Sequence, residues 1–224
     1  MTLLADKILE FYSTLDIPVV LPGDIRVMNP YRYQDVQAVV DRFYRKFYSD
    51  DHSRTLILGI NPGRFGGGIT GIPFTDPIRL EDDCGIANSF PKKPELSSVF
   101  IYEVIRTFGG AARFYSRFFI SAVSPLGFLK DGKNYNYYDD HALLMALQPF
   151  IEETLRKQFM LMTERQRCYC LGEGKNFEFL GRLNKSLSLT GEIIPLPHPR
   201  WVMQYKRKKM KDYIDLYIRT LVNN

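Results

Sequence analysis

Cysteine is scarce: the 224 residues hold only Cys84, Cys168 and Cys170. Three are too few for a disulfide framework, and Cys-Tyr-Cys lacks the paired spacing of a zinc site. The spacing instead puts Cys168 and Cys170 on one face of a buried strand, and a reducing compartment follows. No apolar run approaches the roughly 20 residues that span a bilayer, and no charged-then-apolar leader opens the chain. The expectation is an intracellular, cytoplasmic protein that makes no use of a membrane. Repeats and low-complexity linkers are missing too. The candidate carboxylate clusters for a metal, Asp82-Asp83, Asp139-Asp140 and Glu152-Glu153, are sequence neighbours. Neighbouring acids point apart, which weakens the case for a metal-dependent nuclease, and no metal or cofactor is expected. Acids also vanish locally: between His198 and Lys211 there are six Lys or Arg and no Asp or Glu.

What is present suits one globular domain over residues 1–224. Apolar residues make up 45%, and a chain of this size buries about 70% of its unfolded surface. The net charge of +5 says little alone. The acid-free stretch says more, since such a field favours an anionic polymer, DNA or RNA, although a solvated helix end reads the same way. Leu3 to Leu15 and Gln34 to Tyr48 have the apolar spacing of amphipathic helices. Thr55 to Ile60, Phe118 to Val123, Cys168 to Leu171 and Glu192 to Leu196 are short apolar runs, as in strands buried on both faces. Helical patterns separate them at Ser97 to Phe108, His141 to Leu155 (Pro149 predicting a kink or restart) and Asn176 to Leu187. Met210 to Leu221 forms the last helix. This alternation predicts an α/β fold, three layers α/β/α around a central, mainly parallel four-stranded sheet.

Two segments each follow a strand, so both face the crevice beyond the strands' carboxyl ends. The first, Gly59 to Phe74, reads GINPGRFGGGITGIPF, with six glycines in sixteen residues. That composition predicts a loop rather than helix or strand. It has no Gly-Lys-Ser/Thr, so it is not a phosphate loop, and no helix pattern starts directly after the glycines as a dinucleotide fingerprint requires. The second, Pro195 to Trp201, reads PLPHPRW and holds His198, the one of three histidines placed between a strand and the basic stretch.

The first segment resembles motif one of the uracil-DNA glycosylase superfamily, above all its single-strand-selective monofunctional branch. Gly59, Asn61, Pro62, Gly63, Phe65, Gly66, Thr70, Gly71, Pro73 and Phe74 fall on the motif. The resemblance covers about 54 to 210 and leaves the first fifty residues and the detail of 76–96 unmatched. It implies a glycosylase that removes uracil, and by extension hypoxanthine or xanthine, from single- or double-stranded DNA, as a monomer. Asn61 would hold the attacking water and Phe74 would stack on the extruded base, with Ile60 and Gly63 beside it. Gly63 stands where the strict uracil branch has a bulky residue, implying a roomier pocket. His198 would donate a hydrogen bond to the carbonyl of the departing base. Arg200, Trp201 and Met203 are candidate wedges into the duplex, and for Trp201 helix–core packing is an equal reading. Lys206, Arg207, Lys208 and Lys209 would hold phosphates. The turn Leu171-Gly-Glu-Gly-Lys175 either presents its amides and Lys175 to a phosphate or simply joins strand to helix. Ser97 and Ser98 either touch phosphate or cap a helix, and Asp76 reads as an N-cap or turn residue.

The pattern departs from the family at Ala122, where an Asn that reads the base is expected; Ser121, Ser124 or a backbone group would have to substitute. With no lysine at a nucleophile position, base removal without strand cleavage is expected. The alternatives are a non-catalytic nucleic-acid binder of the same fold and the metal-dependent nuclease.

Overall fold

The computed structural model describes residues 3–222; the outermost two residues at each end of the expected 1–224 domain lie outside it. In chain order, α1 (Leu4–Ser13) and β1 (Arg26–Met28) are followed by α2 (Gln34–Phe47) and β2 (Thr55–Gly59). Then come α3 (Gly67–Thr70), α4 (Pro77–Asp82), α5 (Leu96–Phe108), α6 (Ala111–Tyr115) and β3 (Phe118–Ala122). A hairpin, β4 (Gly127–Lys130) and β5 (Lys133–Tyr135), leads to the long α7 (His141–Leu161). The chain ends with β6 (Arg167–Leu171), α8 (Lys175–Leu187), β7 (Glu192–Leu196), α9 (Pro199–Tyr205) and α10 (Met210–Val222).

The expected sheet is there, in the order β3-β2-β6-β7, and every pairing in it is parallel. Helices flank it, giving the α/β architecture read from the alternation. β3 is buried at every position and β2 at all but its first, which explains why neither alternates polar with apolar. Cys168 and Cys170 are free and buried in β6. On α2, Val36, Val39, Val40, Phe43 and Tyr44 recur at helical spacing and form its buried face, and α1 packs against this helix. α5 packs against α9 and α10, where Phe100 meets Tyr217 edge to face. The Tyr217 hydroxyl donates to the Pro197 carbonyl at 2.5 Å, fastening α10 to the turn before His198.

Three expectations need correction. The glycine-rich segment contains a single helical turn, α3, closed by Gly71 at φ 72°. A Cβ at Gly71 would lie 2.6 Å from the Val40 side chain, so this residue answers both a backbone and a packing demand. Pro149 does not restart the helix: it lies inside α7, which runs past Leu155 to Leu161 as its buried face continues through Phe159. A second, antiparallel sheet, β1-β4-β5, was not anticipated.

Candidate active site

Beyond the carboxyl ends of β2, β3 and β7 lies a cleft of about 470 Å³, lined among others by Ile60, Asn61, Gly63, Phe74, Ala122, His198, Arg200 and Trp201. Residues far apart in sequence meet there because parallel strands deliver their following loops to the same end of the sheet.

Phe74 owes its place to its neighbours. It adopts φ 54°, a left-handed conformation rare for a bulky residue, at the end of a loop held by buried hydrogen bonds. Thr70 Oγ1 donates to the Thr75 carbonyl at 2.7 Å, and Thr75 Oγ1 shares a 2.9 Å hydrogen bond with the Tyr102 hydroxyl. The ring rests on the end of β2, where a Cβ on Gly59 would come within 2.6 Å of it. Its centroid is 6.3 Å from that of His198, at an interplanar angle of 49°.

The His198 ring is held in one protonation pattern. Nδ1 accepts the Arg200 backbone N–H at 3.2 Å, which leaves the proton on Nε2. Burial, and then the Arg200 cation, lower its pKa to about 4. The imidazole is therefore neutral at physiological pH and offers one N–H as donor.

Asn61 uses its amide in both directions. Nδ2 donates to the Tyr135 carbonyl and Oδ1 accepts the Tyr137 N–H, each at 3.2 Å. Asn134 Oδ1 likewise accepts the Arg64 N–H at 2.9 Å. The unanticipated small sheet is thus stitched to the first motif, and Asn134 and Asn136 join the cleft wall. The cue was Asp131-Gly132, whose φ values of 50° and 68° make the tight hairpin turn this dipeptide favours.

Two expected contacts are corrected. Ser124 is fully buried outside the cleft, its Oγ donating to the Leu126 carbonyl at 2.8 Å, so it cannot replace the amide missing at Ala122. Met203 is buried, because the turn of α9 points it inward beside Val202. Trp201, 39% exposed, lies on the cleft with its edge toward Tyr213 and Lys206 over its ring. Arg200, Lys206, Arg207, Lys208 and Lys209 are exposed, and none of them is in an ion pair among the described residues. Lys175 is exposed at the start of α8, apart from the cleft lining, 5.9 Å over Tyr138. Ser97 lines the cleft, whereas Ser98 Oγ accepts the Asp76 N–H at 3.0 Å. Asp76 is fully buried as the N-cap of α4; Oδ1 accepts the N–H groups of Ile78 and Arg79, and Oδ2 that of Glu95.

The sequence reading missed Glu95, which falls within 76–96. It caps α5 through its backbone only, and its side chain turns into the cleft. The carboxyl lies against Gly63 and Gly66, where a Cβ on either would collide with it. Burial and then the Asp76 charge, opposed by Arg200, raise its pKa to about 7. Part of the room opened by Gly63 is therefore taken by an acid. Elsewhere the paired acids serve structure: Asp83 pairs with Arg106, and Asp140 caps α7. No group of three or more His, Cys, Asp or Glu that could hold a metal occurs among the described residues. Among these residues, too, no helix is long and apolar enough to cross a membrane.

The sequence profile of the uracil DNA glycosylase superfamily matches residues 46–222. The solved structure of wild-type SMUG2 from Pedobacter heparinus is similar over the full length of both chains, with 46% identity and a TM-score of 0.95. No curated protein matches. On the matched profile and the shared fold, the chain belongs to the uracil DNA glycosylase superfamily.

Proposed function

We propose that the protein is a monofunctional DNA glycosylase that hydrolyses the N-glycosidic bond of uracil, and of hypoxanthine and xanthine, in DNA. The observation that carries this reading is the meeting of Asn61, Phe74 and a neutral, Nε2-protonated His198 in one cleft. An extruded base stacks on Phe74, a contact worth about 1–3 kcal/mol in measured nucleic-acid cases. As the bond breaks, both its electrons go to the base, and charge grows on a base carbonyl. The His198 Nε2–H stabilises that oxygen without transferring its proton, which suits a nitrogen whose ring stays neutral. The sugar gains oxocarbenium character, so a weakly activated water suffices, and Asn61 orients it. The water oxygen bonds to C1′, its proton passes to solvent, and the base leaves as an anion that is protonated later.

Arg200 and Trp201 sit at the cleft mouth, suited to fill the gap in the duplex, and Lys206 to Lys209 to hold phosphates. Among the described residues no lysine lines the cleft, which favours water over an amine as the nucleophile and so an abasic site in an uncut strand. We take the enzyme to act as a monomer.

The test is incubation with labelled single- and double-stranded oligonucleotides carrying one uracil, hypoxanthine or xanthine, in excess chelator. Strand breaks that appear only after alkali, and vanish in Asn61→Ala and His198→Ala, support the reading and rank the bases. Binding of damaged DNA with no base released would replace it with a non-catalytic binder.

A further inference from the structure

Glu95 is the only acid lining the cleft among the described residues, and the mechanism above does not use it. Its backbone is fixed, since its N–H donates to Asp76 Oδ2 at 2.9 Å and Gly63 and Gly66 leave the space its carboxyl fills. Yet no donor among the described residues hydrogen-bonds that carboxyl. The carboxyl is half-buried and faces the cleft, so its hydrogen-bonding capacity is open to a ligand that enters there. The charged or titratable groups around it are Asp76 at the α4 cap, Arg200 on α9, His198 before it, and Arg64 and Lys133 in the adjoining groove. Their balance, with burial, leaves the neutral acid well populated near neutral pH. A neutral carboxyl presents an O–H donor beside a C=O acceptor, the pattern of a carboxamide. Uracil, hypoxanthine and xanthine each present the complement, a carbonyl beside an N–H. Ala122, also on the cleft wall, supplies no polar side chain.

We propose that Glu95 determines specificity by hydrogen-bonding the carbonyl–imide edge of the deaminated base, donating its O–H to the carbonyl and accepting the N–H. This rests on the glycosylase reading, and Glu95 does its work in the neutral form. A glutamine offers the same pair of groups at every pH, whereas the carboxylate can only accept.

The experiment measures binding of an oligonucleotide carrying 2′-fluoro-arabino-uridine, which resists hydrolysis, against one carrying an abasic analogue. Wild type, Glu95→Gln and Glu95→Ala are compared from about pH 5.5 to about pH 8.5. Wild type should lose preference for the uracil strand, by about tenfold, as the pH rises; Glu95→Gln should keep it throughout, and Glu95→Ala should lack it by about tenfold even at low pH. Equal preference in all three proteins would overturn the proposal. So would a preference that rises with pH and is lost in Glu95→Gln, because that marks a carboxylate acting as acceptor or base. Thermal melts at each pH verify folding, and if Glu95→Ala does not fold, the flat or sloping Glu95→Gln profile decides. Release of natural uracil by wild type is measured separately, so a failure of the glycosylase reading shows there and not in the binding data.

Discussion

His198 shows how one backbone contact sets the chemistry of a side chain. The Arg200 N–H occupies Nδ1, so the ring has its single donor on Nε2. Replacing it with alanine should lower kcat by about 10²–10³-fold, the cost of removing a preorganised donor from comparable sites, with little change in DNA affinity. With its pKa lowered to about 4, His198 itself should impose no loss of activity from about pH 5.5 upward. Glu95 behaves oppositely. Folding raises its pKa from 4.5 to about 7, so the folded chain binds that proton more tightly than the unfolded one. The associated stability is complete below the ordinary carboxyl value and is lost as the pH rises through about 7. The difference in melting temperature between Glu95→Gln and wild type should therefore shift in favour of glutamine between about pH 5 and about pH 8. Asn61, Phe74 and His198 were legible because each sits in a contiguous motif. Glu95 was not, because its significance comes from Gly63, Gly66 and Asp76, which only the fold brings to it.

Among the elements, the junction of α4 and α5 depends on one buried carboxylate. Asp76 accepts the N–H groups of Ile78, Arg79 and Glu95. Asp76→Ala should cost about 2 kcal/mol in urea unfolding, from a lost cap and an orphaned N–H, and Asp76→Asn should recover part of it. The four core strands were readable because burial on both faces leaves continuous apolar runs. The strands β1 and β5 were not, being three residues long with no buried position, too short to display a period. Met203 and Trp201 lie two positions apart on α9, so helical spacing turns Met203 inward and leaves Trp201 on the cleft.

For the whole molecule, cations from separate parts of the chain gather at the cleft and the groove beside it: Arg64 after β2, Lys133 in β5, Arg200 on α9 and Lys206 over Trp201, with the exposed run to Lys209 following in sequence. The net charge of +5 is modest, so the placement of these cations matters more than their number. Each phosphate neutralised on duplex DNA adds about −0.9 to the slope of log affinity against log salt. Replacing Lys206, Lys208 and Lys209 with alanine should flatten that slope by about 0.9 for every phosphate the variant no longer neutralises, as read by fluorescence anisotropy, and leave uracil discrimination intact. Sequence revealed the acid-free run, but not that Arg64 and Lys133 border the same site. The central claim is tested most directly by chromatographic detection of free uracil in a single turnover, with excess chelator. Free uracil in a one-to-one ratio with alkali-labile strands, lost in Asn61→Ala and His198→Ala, is the predicted result. Strands cut without alkali, activity abolished by chelator, or no free base from wild type would contradict it.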